Sequence, residues 1–334
     1  MNTKRAKAAM GLNSQFKVIT TGTPVENHLG ELWSLFDFIT PGLLGTFPHF
    51  SRSFMSTVSP EADKKARARL KKLIQPFILR RLKSQVLQEL PARTEITMRV
   101  EMSADEAALY EAQRRSALDK LAAVGAEPQG QQQIRIFAEI MRLRRLCCNP
   151  SLVLPNCKIE SAKLKVFGEL LDDILGNHHK ALVFSQFVDH LQILSRFLDD
   201  RGIAYQYLDG STPVATRRKR INDFQAGSGD VFLISLKAGG SGLNLTAADY
   251  VIHMDPWWNP AVEDQASDRA HRIGQLRPVT IYRLVMADSI EEQIIKLHRD
   301  KRDLADSLLA GGDLSGKMSA SELLGLLKES GIRD

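Results

Sequence analysis

The stretch VFLISLKAGGSGLNLTAADYVIHMDPWWNPAVEDQASDRAHRIGQ, Val231 to Gln275, decides how this chain folds. It opens on a short apolar run of strand type, Val231 to Ser235, turns through a loop holding Gly239, Gly240 and Gly242, and returns as a second run, DYVIHM. Trp257 and Trp258 then lead into DQASDRAHRIGQ, Asp264 to Gln275, where the spacing of Gln265, Arg269 and Arg272 predicts one polar face of a helix. Two guanidiniums three residues apart can close on one polyphosphate, because each is always charged and offers a planar fork of donors. The competing reading is a solvated helix face on which Asp264, Asp268, Arg269 and Arg272 form ordinary ion pairs. Glycines without side chains let the preceding loop turn tightly and aim amides at an anion, although most glycine strings are plain turns.

Working outward, helix-type and strand-type runs alternate. Lys163 to Leu175 reads as helix, ALVFS (Ala181 to Ser185) as strand, Leu191 to Arg201 as helix, IAYQYL (Ile203 to Leu208) as strand and Thr212 to Gln225 as helix; VTIYRLV (Val279 to Val285) is the last strand. This rhythm predicts an α/β fold, a parallel sheet flanked by helices with its working loops at the carboxyl ends of the strands. Ser185 and Gln186 at one strand end, and Ser211 and Thr212 at a helix start, are candidate phosphate contacts, with plain cap or turn residues as the alternative. Earlier in the chain, FKVIT (Phe16 to Thr20) reads as a lone strand, and LGELWSLFDFI as a helix broken at Pro41-Gly42. A lone strand cannot make a domain, so this region reads as the end of a larger α/β unit. RTEITMRVEM (Arg93 to Met102) alternates like a strand, SADE is a capping box opening the next helix at Ser103, and GAEPQGQQQ (Gly125 to Gln133) is a loop tip from which Ile134 to Cys147 returns as helix. The tail from Ser289 reads as a long polar helix, a turn and a short helix from Ser319.

A length of 334 residues with 43% hydrophobic and 25% charged residues suits two packed globular units. No apolar run approaches the roughly 20 residues a membrane span needs, so no membrane partner is expected. The polar start MNTKRAKAAM lacks the apolar core of a secretory signal, which points to a cytoplasmic or nuclear protein. Cys147, Cys148 and Cys157 have neither metal-ligand nor disulfide spacing, so no metal site is expected. The formal charge of +6 is modest but clustered, in Lys64 to Lys72, in Arg80, Arg81 and Lys83, in Arg142, Arg144 and Arg145, and in Arg217 to Arg220. Such clusters suit a phosphate backbone, although each alone is more often a solvated helix face. Trp257 and Trp258 are read as anchoring a turn against the core rather than stacking on bases, and His253 and His271 as structural.

The block from Val231 to Gln275 resembles motifs V and VI of the Swi/Snf-type ATPases, double-stranded DNA translocases of helicase superfamily two. The general pattern Gln-x-x-Gly-Arg-x-x-Arg stands here as Gln265, Asp268, Arg269 and Arg272, with the Asp that the Swi/Snf branch carries. Elsewhere TGTPVEN (Thr21 to Asn27) resembles motif III, and PFILRRLKSQVLQELP the connection out of the first lobe. LRRLCCNPSLV resembles the segment before the second lobe, with Asn149 in place of His. VFSQF matches motif IV and YLDGST the element after it.

The resemblance implies two RecA-like lobes. It assigns residues 1–91 to the end of the first, 92–157 to a linker strand and helical protrusion, 158–288 to the second lobe with motifs IV to VI, and 289–334 to a helical brace. It implies ATP with Mg²⁺ as cofactor and duplex DNA as partner. Arg269, Arg272 and Gln265 are then catalytic, Gly240, Gly242, Asn244, Thr21, Gly22 and Thr23 serve the nucleotide, and Ser185, Gln186, Ser211, Thr212, Lys237 and Ser241 contact nucleic acid. The sequence contains neither a phosphate loop ending in Gly-Lys-Ser/Thr nor an acidic Mg²⁺ motif; GGDLSGKM (Gly311 to Met318) has Met318 in place of the hydroxyl. The chain is therefore expected to begin just downstream of its own Mg²⁺ motif and to need an amino-terminal lobe, the alternatives being a split-gene partner or a non-catalytic binding lobe. Its style suggests a bacterial, nucleoid-associated protein, or a nuclear one if eukaryotic. The sequence does not choose among chromatin, RNA polymerase, another nucleoprotein complex and a repair complex as the target.

Overall fold

The computed structural model describes residues 4–21, 29–55, 60–79, 81, 87, 89–122, 129–238, 243–298 and 320–331. The chain divides into two compact units, 1–86 with 297–318 and 87–296 with 319–334.

The first unit contains helices α1 (Lys4–Met10), α2 (Leu29–Ile39), α3 (Phe47–Phe54) and α4 (Pro60–Ile74). Leu29, Leu32 and Phe36 recur at helical spacing on α2 and meet Leu44, Phe50, Phe54, Leu70 and Ile74 in a small core. The expected break at Pro41-Gly42 is a turn with Gly42 at φ +87° and Gly45 at φ +69°, a region that glycine enters without steric cost. Trp33 Nε1 donates to the Gly45 carbonyl at 3.0 Å and holds that turn against α2. The strand expected at Phe16 to Thr20 does not form. That segment has no regular structure, and Phe16 and Val18 are 82% and 63% exposed. A strand exists only when a neighbour takes up its amides and carbonyls, and the described residues of this unit include no strand to do so.

The second unit is built on six parallel strands, β1 (Arg93–Val100), β2 (Ala181–Ser185), β3 (Tyr205–Leu208), β4 (Val231–Ser235), β5 (Tyr250–His253) and β6 (Val279–Met286), in the order β1-β6-β5-β2-β4-β3. Every residue of β2 and β4 is buried, as expected of strands covered on both faces, which explains their unbroken apolar sequences. Leu182, Phe184, Phe224, Phe232, Ile234 and Ile281 lie in one core cluster, each burial contributing about 1.5–3 kcal/mol.

Around the sheet run α5 (Ala104–Ala122), α6 (Gln129–Cys148), α7 (Ala162–Gly176), α8 (Val188–Asp200), α9 (Val214–Gln225), α10 (Pro260–Ser267), α11 (290–298) and α12 (Ala320–Glu329). The capping box that opens α5 is formed: the Glu106 amide donates to Ser103 Oγ, and Glu106 Oε2 accepts from the Ser103 amide. Arg114 on α5 donates to the carbonyls of Leu327 and Lys328, satisfying the carboxyl end of α12.

The segment Arg93 to Val100, expected to be a linker strand, is the edge strand of this sheet. It pairs in parallel with β6 from Arg93 opposite Val279 to Val100 opposite Met286. Most of its residues are exposed, as fits an edge strand that has a neighbour on one side only.

Candidate functional site

A parallel sheet delivers the carboxyl ends of all its strands to one rim, and the segments that follow β2, β3, β4 and β5 leave from there. After β5, buried Asp255 draws the β2 end toward itself. It accepts from the Ser185 hydroxyl and from the Gln186 amide, the latter at 3.2 Å. Ser185 Oγ also accepts from the Phe187 amide at 3.1 Å. Ser185, the expected phosphate contact, is 1% exposed, and its hydroxyl is bonded inside the lobe. Gln186 Oε1 accepts from Arg144 Nη1 at 3.2 Å, and its Nε2 is enclosed without an acceptor among the described residues.

After β3, Asp209 organises the turn into α9. Its Oδ1 accepts from the Ser211 amide and from both the Ser211 and Thr212 hydroxyls, while Oδ2 accepts from the Tyr207 phenol. Burial works to raise the Asp209 pKa, but these donors, Ser211 foremost, hold it below the usual carboxylate range. Ser211 and Thr212 are thus turn residues around an anion of the protein's own, and an incoming phosphate would have to share them with Asp209. On α9, Arg218 and Lys219 are exposed, whereas Arg217 and Arg220 donate to the carbonyls of Ala238 and Tyr207.

The arginine segment departs from the expected helix face. Helix α10 ends at Ser267, Asp268 is its cap at φ −64° and ψ −1°, and Arg269 and Arg272 stand in the turns beyond. Those turns are anchored. The Leu245 amide donates to the Arg269 carbonyl at 3.0 Å, and Gln275 Nε2 donates to the carbonyls of Thr246, Ala248 and Ala270. The limb returning from the glycine loop and the arginine segment are therefore held as one piece. Arg272 is exposed and donates to the Leu243 carbonyl at 3.4 Å; Gln265 is exposed as well.

Charge sorting at this point also departs from a simple solvated face. Asp264 and Asp268 close on Arg93 of β1 at 3.0 and 3.2 Å, and Arg283 of β6 pairs with Glu263 at 2.8 Å and Glu95 at 2.7 Å. Arg269, 6% exposed, is pushed down to about 10, first by burial and then by the neighbouring Arg272 charge, with Asp268 opposing. It stays protonated at neutral pH, and an anion arriving at Arg272 would relieve the repulsion.

Of the remaining expected residues, Asn244 and Thr21 are exposed, and exposed Lys237 places its ammonium 6.0 Å from the Trp257 ring centroid. Gly22, Thr23, Gly240, Ser241 and Gly242 lie outside the described residues. Trp257 and Trp258 are half-buried. Trp257 packs on the sheet core, and Trp258 meets Phe137 at 5.5 Å between ring centroids. His253, buried and stacked on Phe184, is pushed down to about 4 by burial and bonds Ser267 Oγ at 2.8 Å. His271 Nε2 donates to the Pro91 carbonyl at 2.8 Å.

Sequence reading missed the residues that brace the site. Arg144, counted above with a basic cluster, is fully buried, and Asp255, Glu263, Lys163 and Glu291 are buried with it. Cys148, His190 and Asp255 bring potential ligand atoms within 4.8 Å of one another. Burial and the Lys163 charge hold His190 down to about 3, and burial raises the Cys148 thiol well above its ordinary value. With Arg144 lying 3.9 Å from Asp255, the charge balance there suits a neutral polar core better than a cation.

Residues 1–152 match the SNF2-related domain and residues 162–274 the helicase conserved C-terminal domain. A Sulfolobus solfataricus SWI2/SNF2 ATPase core, solved in complex with dsDNA, superposes with a TM-score of 0.59 at 31% identity, covering 97% of this chain and 69% of that one. The chain belongs to the SNF2 family. Its second unit is the family's RecA-like C-terminal lobe, and the separately solved Sulfolobus solfataricus SWI2/SNF2 ATPase C-terminal domain, at 26% identity, covers 70% of this chain and 97% of its own with a TM-score of 0.56. The putative ATP-dependent helicase/translocase YwqA of Bacillus subtilis is 35% identical over 330 residues, 96% of this chain and 36% of YwqA. The chain spans about a third of the length of the curated relatives that it matches. It thus carries SNF2-family ATPase domains, and its relatives include proteins described as ATP-dependent helicases.

Proposed function

We propose that this chain supplies the second lobe and part of the first lobe of an ATP-driven duplex-DNA translocase, and that Arg269 and Arg272 engage the γ-phosphate of nucleotide held mainly by a first ATPase lobe. In this reading 1–91 ends the first lobe, 92–157 and 158–288 form the second lobe with its protrusion, and 289–334 braces it. The supporting observation is the anchored guanidinium pair, in which one member is depressed by burial and by its neighbour. Such a pair gains most when negative charge appears beside it, as it does on a transferring phosphoryl group.

Bound ATP supplies that phosphoryl group. The donors of Arg269 and Arg272 suit its oxygens and not a cation, so Mg²⁺ falls to a phosphate loop and acidic motif that this sequence does not contain. Arg272, exposed, would meet the phosphate first. Arg269, buried, would hold the second oxygen face, and Gln265 would complete the polar rim. On the DNA side, Lys237, Arg218 and Lys219 offer exposed cations around the strand-end rim for backbone phosphates. This chain by itself is expected to hydrolyse no ATP.

The test is phosphate release by this chain assembled with a complementing first ATPase lobe, with and without duplex DNA. Arg272→Ala is expected to lower turnover by about 10³-fold or more, the scale of an arginine finger. Turnover at the wild-type rate would show that the pair has another role.

A further inference from the structure

Arg144 is the largest fully buried side chain among the described residues of the second unit. It leaves α6 near its carboxyl end. Nη1 donates to Gln186 Oε1 at 3.2 Å, in the segment that follows β2. Nη2 donates to the Pro256 carbonyl, in the segment that follows β5, and lies 3.9 Å from the Asp255 carboxylate. The guanidinium plane stands 5.3 Å from the Trp258 ring centroid and 5.8 Å from that of Phe187, so each of the two segments also places an aromatic ring against it.

The two segments already touch through the Gln186 amide and Asp255. That contact fixes backbone on one side only. Arg144 adds a side-chain hold on Gln186 and a backbone hold on Pro256 from a third element, and a planar fork can do this where an ammonium cannot. Burying a guanidinium is costly unless its partners are well placed. A lobe that needed only to fill this space would do so with an apolar side chain of similar volume.

We infer that Arg144 is a positioning residue: its fork locks the segments 185–187 and 255–258 into one rigid ledge, and the ledge presents the rim to duplex DNA. The inference rests on the proposed translocase reading. Trp257, in the second segment, lies under the exposed Lys237 ammonium at 6.0 Å, so slack between the segments would spread that DNA-facing cation over several orientations. Loss of the fork then weakens the response to DNA while leaving the phosphate-facing arginines, which are anchored separately through Leu245 and Gln275, in place.

Two measurements on this chain assembled with a complementing first ATPase lobe test this. Hydrogen–deuterium exchange comes first, comparing wild type with Arg144→Lys and Arg144→Met. Both segments are expected to exchange at least about tenfold faster in each variant, with β4 amides unchanged, since removal of one charged hydrogen bond corresponds to a factor of this order. Unchanged exchange in either segment overturns the inference. DNA-stimulated ATP turnover comes second. The DNA concentration for half-maximal stimulation is expected to rise about tenfold in Arg144→Lys, with DNA-independent turnover and the KM for ATP within about twofold of wild type.

A residue that merely filled the core would lower all rates together, in proportion to the folded fraction, and leave the DNA midpoint where it was. That result overturns the inference too. If Arg144→Met fails to fold, Arg144→Lys, which keeps the charge and most of the volume, carries both measurements. A double-mutant cycle with Gln186→Leu adds a further arm: losses that are less than additive tie Arg144 to Gln186, and fully additive losses contradict the proposed hold. Wild-type protein indifferent to duplex DNA would overturn the translocase reading itself, a result distinct from any change in the exchange data.

Discussion

Arg272→Ala is expected to stabilise the second lobe while disabling it. Arg269 is held down to about 10, a depression worth roughly 3 kcal/mol at about 1.4 kcal/mol per tenfold change in acidity. Burial is the larger cause and the Arg272 charge the second, so the part of this depression that disappears with Arg272 is the smaller one. The hydrogen bond lost with it, to the Leu243 carbonyl, is long at 3.4 Å and contributes little against that gain. For a lobe of this size, each kcal/mol recovered corresponds to a melting temperature higher by about 2–4 °C.

Pyrophosphate is expected to reverse the order. An anion bound by both arginines at a hundred times its Kd would stabilise the wild type by about 2.7 kcal/mol, and the variant, left with one buried arginine, by much less. Thermal melts of both proteins at neutral pH and low salt, with and without pyrophosphate, read both effects. A variant that melts below the wild type without anion, or that gains as much from pyrophosphate, would refute the idea that the pair is poised for phosphate.

Two further outcomes follow from the buried network. His190 and His253 are kept neutral to about 3 and 4, whereas in the unfolded chain each takes a proton near 6.5. The unfolded state binds more protons in that window, so stability is complete above about pH 6.5 and declines as the pH falls, by about 2 kcal/mol per histidine at pH 5. Urea midpoints at pH 7 and pH 5 measure this, and a His253→Gln variant should show a shallower decline; equal midpoints would contradict it. Glu263→Ala removes the buried partner of Arg283 and the acceptor of the Trp257 amide, and is expected to cost about 3–5 kcal/mol in chemical denaturation. A loss under about 1 kcal/mol would mean that Glu95 compensates.

The strands of the second lobe were legible because each is an apolar or alternating run of fixed period between turn residues. The capping box at Ser103 was legible because its two bonds join residues three apart. The strand at Phe16 was misread for the opposite reason. Period and propensity describe one segment, whereas a strand requires a second. The end of α10 was misread because nothing local in DRAHR stops a helix; what anchors the following turns is Gln275, whose amide reaches carbonyls up to 29 residues away. Ser185 looked like a phosphate ligand by its place at a strand end, and only Asp255, 70 positions on, shows where its hydroxyl goes.

From sequence alone came the parallel α/β architecture, the SNF2 kinship and the residues to suspect, since these depend on periodicity and on motifs whose parts lie close together in the chain. Tertiary structure decided which charges meet. Arg93 lies 171 and 175 positions before Asp264 and Asp268, yet it pairs with both carboxylates, and Arg269 is depressed by burial and by the charge of Arg272 three residues on. Arg144 likewise passed from a surface cluster to the centre of the lobe. Electrostatic partnership and desolvation depend on distance in space, and that distance exists only once the sheet has brought β1 beside β6 and the end of β2 beside the end of β5.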